Sequence, residues 1–253
     1  AASKQTIKTL WSETEKAQKK NEGGKNRIIG VTIETRPDCI DKYAAETLRK
    51  MGVTRIELGI QHTDDAVLKK NLRSHTTEDA TRATRILRDY GFKITYHMMP
   101  GLFGSSPKKD GKMFKTLFSD KRFRPDYLKI YPCVVLKNTP LFRIWKQKKY
   151  RPPTDNELVW LLAKVKKSIP RYVRITRVIR DVPSHHIIAG GKISNLREKI
   201  QRYMAEKKWR CKCIRCREAK YAASSSEKPI LFRQDYIASK GKEIFLSFED
   251  KKR

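Results

Sequence analysis

Residues 27–61 read RIIGVTIETRPDCIDKYAAETLRKMGVTRIELGIQ, and this stretch decides the fold. Arg27 to Ile33 is a short apolar, β-branched run closed by Arg36-Pro37-Asp38, which predicts a buried strand. Ile40, Tyr43, Ala44, Leu48 and Met51 then recur at helical spacing, and Gly52 stops that helix. Arg55 to Ile60 predicts a second strand. Strand, helix, strand in one short stretch is a βαβ unit, so the two strands run parallel with a helical crossover.

The pattern continues downstream. Helices are predicted over 64–72 and 77–90, the second presenting Ala80, Ala83, Ile86, Leu87 and Tyr90 on one face. Phe92 to Met99 is a third strand, Tyr127 to Leu136 a fourth, and a short helix falls near 112–119. Thr154-Asp155-Asn156-Glu157 is a capping box for a helix over 155–168. Tyr172 to Ile179 predicts another strand, and Ser194 is placed to cap a basic helix. AASSSEK at 222–228 reads as a linker. Residues 230–247 alternate in strand fashion, which predicts a hairpin with Gly241 near its turn. No glycine-rich phosphate loop follows the first strand, so a dinucleotide-binding fold is disfavoured and a parallel barrel or partial barrel fits better.

Charge bounds the function. The 253 residues carry 58 Lys+Arg against 27 Asp+Glu, a net charge of +31. Such an excess repels itself, and a polyanion relieves it; nucleic acid is the usual one. A solvated basic surface without a partner is the alternative. No run is apolar enough to span a bilayer, which disfavours a membrane protein, and the polar first residues with an odd number of cysteines, five, predict a reducing, cytoplasmic setting. The hydrophobic content of 38% supports a true core.

Four strands deliver polar side chains near their ends: Glu34 with Arg36, Gln61 with His62, His97, and Lys129 with Tyr131. In parallel α/β barrels function collects there. One such residue means little, but four strands doing so predict a polar ligand pocket. Glu34 and Arg36 suit an amino-acid moiety, Gln61 and Tyr131 suit ribose or base edges, and Lys129 suits a carboxylate or phosphate, or pairing with Glu34. No nucleophile–base pair indicates hydrolase chemistry.

Cys211, Cys213 and Cys216 form C-x-C-x2-C inside a cationic segment. Thiolates this close favour a metal, zinc being the structural choice, with His185, His186, Cys39 or Cys133 as the fourth ligand. Three free thiols are the alternative. The same region concentrates cations: Arg174, Arg177, Arg180, Lys192, Arg197, Lys207, Lys208, Arg210 and Arg215, interleaved with Tyr172, Tyr203 and Trp209. Cations neutralise phosphates while aromatics stack on unpaired bases, so this block predicts RNA binding. Lys146 to Arg151 extends the same track.

GVTIETRPD (30–38), RIELGIQ (55–61), ITYHMMPGL (94–102) and FRPDYLKIYPCVVLKNTPLFRIW (123–145) resemble the radical S-adenosylmethionine domain of the Elongator catalytic-subunit family. VIRDVPSHHIIAGGKISNLRE (178–198) and FRQDYIASKGKEIFLSFED (232–250) resemble its downstream linker. The resemblance implies a partial parallel (β/α) barrel holding a 4Fe-4S cluster and S-adenosylmethionine, with acetyl-CoA used by a separate acetyltransferase domain. It implies a tRNA-modifying enzyme that installs a carboxymethyl-type group on the wobble uridine, with tRNA and either other Elongator-like subunits or a second copy as partners. Glu34, Arg36, Gln61, His97, Lys129 and Tyr131 then line the cofactor pocket. The organisation expected is a polar segment (1–26), the partial barrel (27–170), and a basic RNA-binding, zinc-stapled linker (171–253) leading to an acetyltransferase domain that is absent.

Residues 1–38 contain no cysteine, so the cluster-binding motif is missing, and the chain by itself is expected to be inactive. Gly101 also stands where the family suggests an acidic residue. A non-catalytic tRNA-binding scaffold with a degenerate barrel is the alternative function.

Overall fold

A computed structural model describes residues 4–179, 182–193, 195–219 and 228–250. Its centre is a five-stranded parallel sheet of β1 (Thr32–Thr35), β2 (Arg55–Gln61), β3 (Lys93–Met98), β4 (Tyr127–Ile130) and β6 (Arg174–Arg177). These strands neighbour one another in chain order. Sequential order is that of a (β/α) barrel segment; a doubly wound sheet reverses its order part-way.

After an N-terminal α1 (Lys4–Glu22), the crossovers are α2 (Lys42–Lys50), α3 (Asp65–Lys70), α4 (Thr77–Asp89), α5 (Pro107–Ser119) and, past the short α6 (Pro140–Lys146), α7 (Asp155–Ser168). Each begins at a side-chain cap: Asp41, Asp64, Thr76, Ser106 and Thr154 accept from first-turn N–H groups. The capping box predicted at Thr154 and Glu157 is formed.

Strand period divides the sheet into two faces. Ile56, Leu58, Ile60, Ile94, Tyr96, Met98, Leu128, Ile130 and Ile175 join one core with Leu87, Leu117 and Leu162 from the helices. The opposite face carries Glu34, Glu57, Thr95, His97 and Lys129, aligned by the register Glu34↔Glu57, Glu57↔Thr95 and His97↔Lys129. The core continues past residue 170: Leu196, Ile200 and Met204 of α8 (Leu196–Glu206) pack into it, and β6 supplies the fifth strand.

Three predicted elements differ. The stretch Arg27–Ile33 is not a buried strand: β1 starts at Thr32 and is an edge, leaving Ile28 70% and Ile29 87% exposed. Apolar β-branched composition marks the segment but cannot say whether a neighbour covers it. Tyr127–Leu136 is not one strand. Pro132 has no N–H for the ladder, so the chain leaves β4 and forms β5 (Val135–Leu136), antiparallel to β7 (Ile187–Ala189). The helix near 112–119 begins earlier, at Pro107, where proline suits the first turn.

The hairpin of β8 (Ile230–Ala238) and β9 (Gly241–Glu249) forms as predicted, closed at Ser239-Lys240. It docks through Tyr236 stacked on Tyr172, ring centres 3.8 Å apart, and through Glu243 bound to Arg88 at 2.6 Å. Glu249 pairs with both Arg171 and Arg217. The predicted cap Ser194 and residues 222–227 of the predicted linker lie outside the described residues.

Candidate functional site

The polar face of the sheet brings four of the six predicted pocket residues together. His97 is 3% exposed, with Nε2 2.7 Å from Glu57 Oε2 and Nδ1 3.1 Å from Glu34 Oε1. The Lys129 ammonium donates to the same Glu57 oxygen. Tyr131 sets its ring edge-on to His97, with centres 5.4 Å apart. Thr95, in register with Glu57, has a buried hydroxyl without a partner among the described residues.

Glu57 is the hub, and the strand-end reading missed it. Lys129 pairs with Glu57 rather than with Glu34. The signal was present: Glu57 is a charge inside the otherwise apolar run RIELGI. A carboxylate in a central parallel strand needs partners on the adjacent strands. Burial opposes its charged form, yet hydrogen bonds from His97 and Lys129 hold its pKa down at about 2.

A pH dependence follows. Because the folded pKa lies below the ordinary value of 4.5, Glu57 contributes stability that is fully present above about pH 4.5. That contribution is lost as pH falls towards 2. Denaturant unfolding measured across this range should show the loss, and Glu57→Gln should flatten the corresponding part of the profile. An unchanged profile in the variant removes Glu57 as its source.

The other two pocket residues are placed differently. Gln61 ends β2 at φ +66, where the ladder is irregular, and its Nε2 folds back towards Gly59. Its Oε1 is buried and has no partner among the described residues, so it is open to a ligand donor. Arg36 is turned to Asp38, with bonds of 2.7 and 3.0 Å, and is not brought to the cluster. His62 is buried against Ser105 and Asp110, where it braces the loop after β3.

Glu34, Glu57 and His97 present ligand atoms within 4.8 Å of one another. The Lys129 ammonium already balances Glu57, so this is a network of ion pairs and hydrogen bonds rather than a metal centre. It presents one face of imidazole, carboxylate and ammonium, which suits a zwitterionic or phosphate-bearing ligand.

The Radical SAM superfamily model matches residues 6–117, and the Radical SAM C-terminal domain model matches 125–206. A tRNA uridine(34) acetyltransferase of Methanocaldococcus infernus is 44% identical over 94% of this chain and 46% of its own length. Elongator complex protein 3 of Schizosaccharomyces pombe is 36% identical over 95% of this chain and 45% of its own. A solved structure of the Methanocaldococcus infernus Elp3 with an N-terminal deletion superposes with a TM-score of 0.88 at 44% identity. It covers 94% of this chain and 57% of the other. The chain is a homologue of Elongator protein 3, with matches to both radical SAM domain models. It spans about half the length of the curated relatives it matches.

In this Elongator protein 3 homologue the cysteine triad closes on itself. The Cys211, Cys213 and Cys216 sulfurs lie within 4.8 Å of one another. Hydrogen bonds from Cys211 and Cys216 pull the Cys213 thiol well below its ordinary value. Lys166, 1% exposed, places its ammonium 3.5 Å from Cys216 Sγ. None of the four predicted fourth ligands joins this group among the described residues. Cys133 is buried with Val67 and Leu102, Cys39 sits in a short 3-10 turn, and His185 and His186 lie in another.

The predicted RNA-binding residues divide by what they touch. Arg174 pairs with Glu218 at 2.5 Å, Arg197 donates to the Ile175 and Thr176 carbonyls, and Arg215 donates to Thr176. These three knit α8 and the cysteine segment to β6. Lys192, Lys207, Lys208 and Arg210 are exposed, Lys207 beside the Tyr203 ring. Arg177 is half-buried in β6. Arg180 lies outside the described residues. No helix among the described residues is long and apolar enough to cross a membrane.

Proposed function

We propose that the protein containing this chain modifies the wobble uridine of tRNA by radical S-adenosylmethionine chemistry, adding a carboxymethyl-type group derived from acetyl-CoA. The observation that carries this reading is the Glu34–Glu57–His97–Lys129 network on the polar face of a barrel sheet, in a chain 44% identical to a tRNA uridine(34) acetyltransferase. On this reading Glu34, Gln61, His97, Lys129 and Tyr131 hold and orient S-adenosylmethionine and the reacting groups. Arg36 belongs to the rim, where Asp38 aims it.

A 4Fe-4S cluster does not fit the cysteines of this chain. Cys39 and Cys133 stand apart, and the triad lies on the segment after β6, beside Lys166 of α7. On this reading the cluster ligands and the acetyl-CoA site lie in other parts of the protein. The chemistry of the triad fits zinc: three soft sulfurs within bonding reach of one ion, with a buried cation to balance thiolate charge. Metal analysis should find zinc bound to the chain, lost in Cys213→Ser. Equal zinc in both proteins removes the site.

The test of the whole reading is nucleoside mass spectrometry. The whole protein, incubated anaerobically with S-adenosylmethionine, acetyl-CoA and tRNA, should convert uridine 34, and Lys129→Ala should abolish conversion while tRNA still binds. Binding with no modification under reconstituted conditions sinks the enzyme reading and leaves the scaffold.

A further inference from the structure

A cavity of about 400 Å³ lies beside the mouth, between the ends of β4 and β6, the start of α7 and the loop 182–193. Pockets for small ligands run from roughly 300 to 1,000 Å³. Its walls are apolar, with Pro132, Leu158, Ile179, Pro183 and Leu196 among them. It shares no lining residue with the Glu34–Glu57–His97 group. Yet Pro132 directly follows Tyr131, so the two sites adjoin.

Two features make it a built site. The first is Asp155, in the first turn of α7. Its Oδ1 is buried in the cavity wall and accepts no hydrogen bond among the described residues. A buried carboxylate oxygen without a donor is costly, and a ligand N–H relieves it. The second is Gly191. A Cβ there would lie 2.8 Å from Leu158 Cδ1 and 3.3 Å from Asp155 Oδ1. The loop backbone thus comes directly against the helix start, and a side chain at 191 would press on Leu158 and Asp155 in the cavity wall.

We propose that this cavity binds a nucleobase of the RNA, a base next to the one presented to the Glu34–Glu57–His97 group, and that Asp155 reads its exocyclic amino group. The proposal rests on the RNA-binding reading above. A base is planar and apolar on its faces and carries N–H donors on its edge, which matches apolar walls with one buried acceptor. Exposed Lys192 stands at the rim, where the phosphate of such a nucleotide would lie. A carboxylate accepts from amino-bearing bases and repels bare carbonyl edges. Guanine, adenine and cytosine are therefore favoured over uracil.

The test uses the purified chain and four mononucleotides, GMP, AMP, CMP and UMP, followed by ligand-observed NMR and calorimetry. Wild type should bind the amino-bearing nucleotides about 5- to 100-fold more tightly than UMP. Asp155→Asn, which keeps shape but adds a donor, should erase that preference. Val182→Trp, which fills the cavity from a half-exposed lining position, should abolish binding of all four. Binding that is equal in wild type and Val182→Trp, or a UMP preference in wild type, overturns the proposal. Filter binding of an anticodon stem–loop is measured in parallel. If the stem–loop fails to bind while mononucleotides behave as expected, the RNA surface is wrong and the base site stands.

Discussion

Replacing Glu57 with alanine is expected to lower the unfolding free energy by about 3–5 kcal/mol, as for the loss of one partner from a buried ion pair. The residue is 4% exposed, and its carboxylate accepts from both His97 and Lys129. Its removal leaves an ammonium and an imidazole facing each other with no acceptor between them. Glu57→Gln keeps an oxygen but loses the charge, and should cost less, roughly 1–3 kcal/mol. Removing the lysine as well, in Glu57→Ala with Lys129→Met, should recover part of the loss, because the stranded charge goes with it. Urea unfolding of the three variants measures this. A loss below about 1 kcal/mol in Glu57→Ala, the scale of an exposed pair, would mean the network is not a structural hub.

Reversing Lys207, Lys208 and Arg210 to glutamate together is expected to weaken tRNA binding and to reduce the salt dependence by about three units of slope, one per phosphate contact. All three side chains are exposed at or beyond the end of α8. Their reversal should leave the unfolding midpoint nearly unchanged. Arg174→Ala and Arg197→Ala are the contrast. They break the pair with Glu218 and the bonds to the β6 carbonyls, so they should lower stability first and binding only through it. An unaltered slope in the triple variant would place the RNA elsewhere on the surface.

The contrast between these two groups marks where legibility stopped. Arg174, Arg197, Lys207 and Arg210 look alike as letters in one basic block. Whether a guanidinium faces solvent or caps a carbonyl depends on which strand end lies beneath it, and β6 comes from another part of the chain than α8. That His97, Lys129 and Tyr131 gather in one group was legible because period two and strand ends place them on one face. Arg36 was not, since a neighbour two residues away, Asp38, captures it. Glu57 escaped because attention to strand ends passes over a charge in mid-strand. The triad was legible from spacing alone, whereas Lys166, which comes from α7, was not.

By itself the sequence determined the local parts: caps, strand and helix periods, the parallel βαβ order, the hairpin and the cysteine spacing. These depend on residues within a few positions of one another, so backbone geometry and capping suffice. Only the tertiary structure decided that β1 is an edge with Ile28 and Ile29 exposed, that Glu57 gathers His97 and Lys129, and that Asp155 is left with a buried oxygen unpaired among the described residues. Each depends on what packs across from a side chain. Burial and hydrogen-bond satisfaction belong to the neighbours that folding brings in, and those neighbours come from distant segments of the chain.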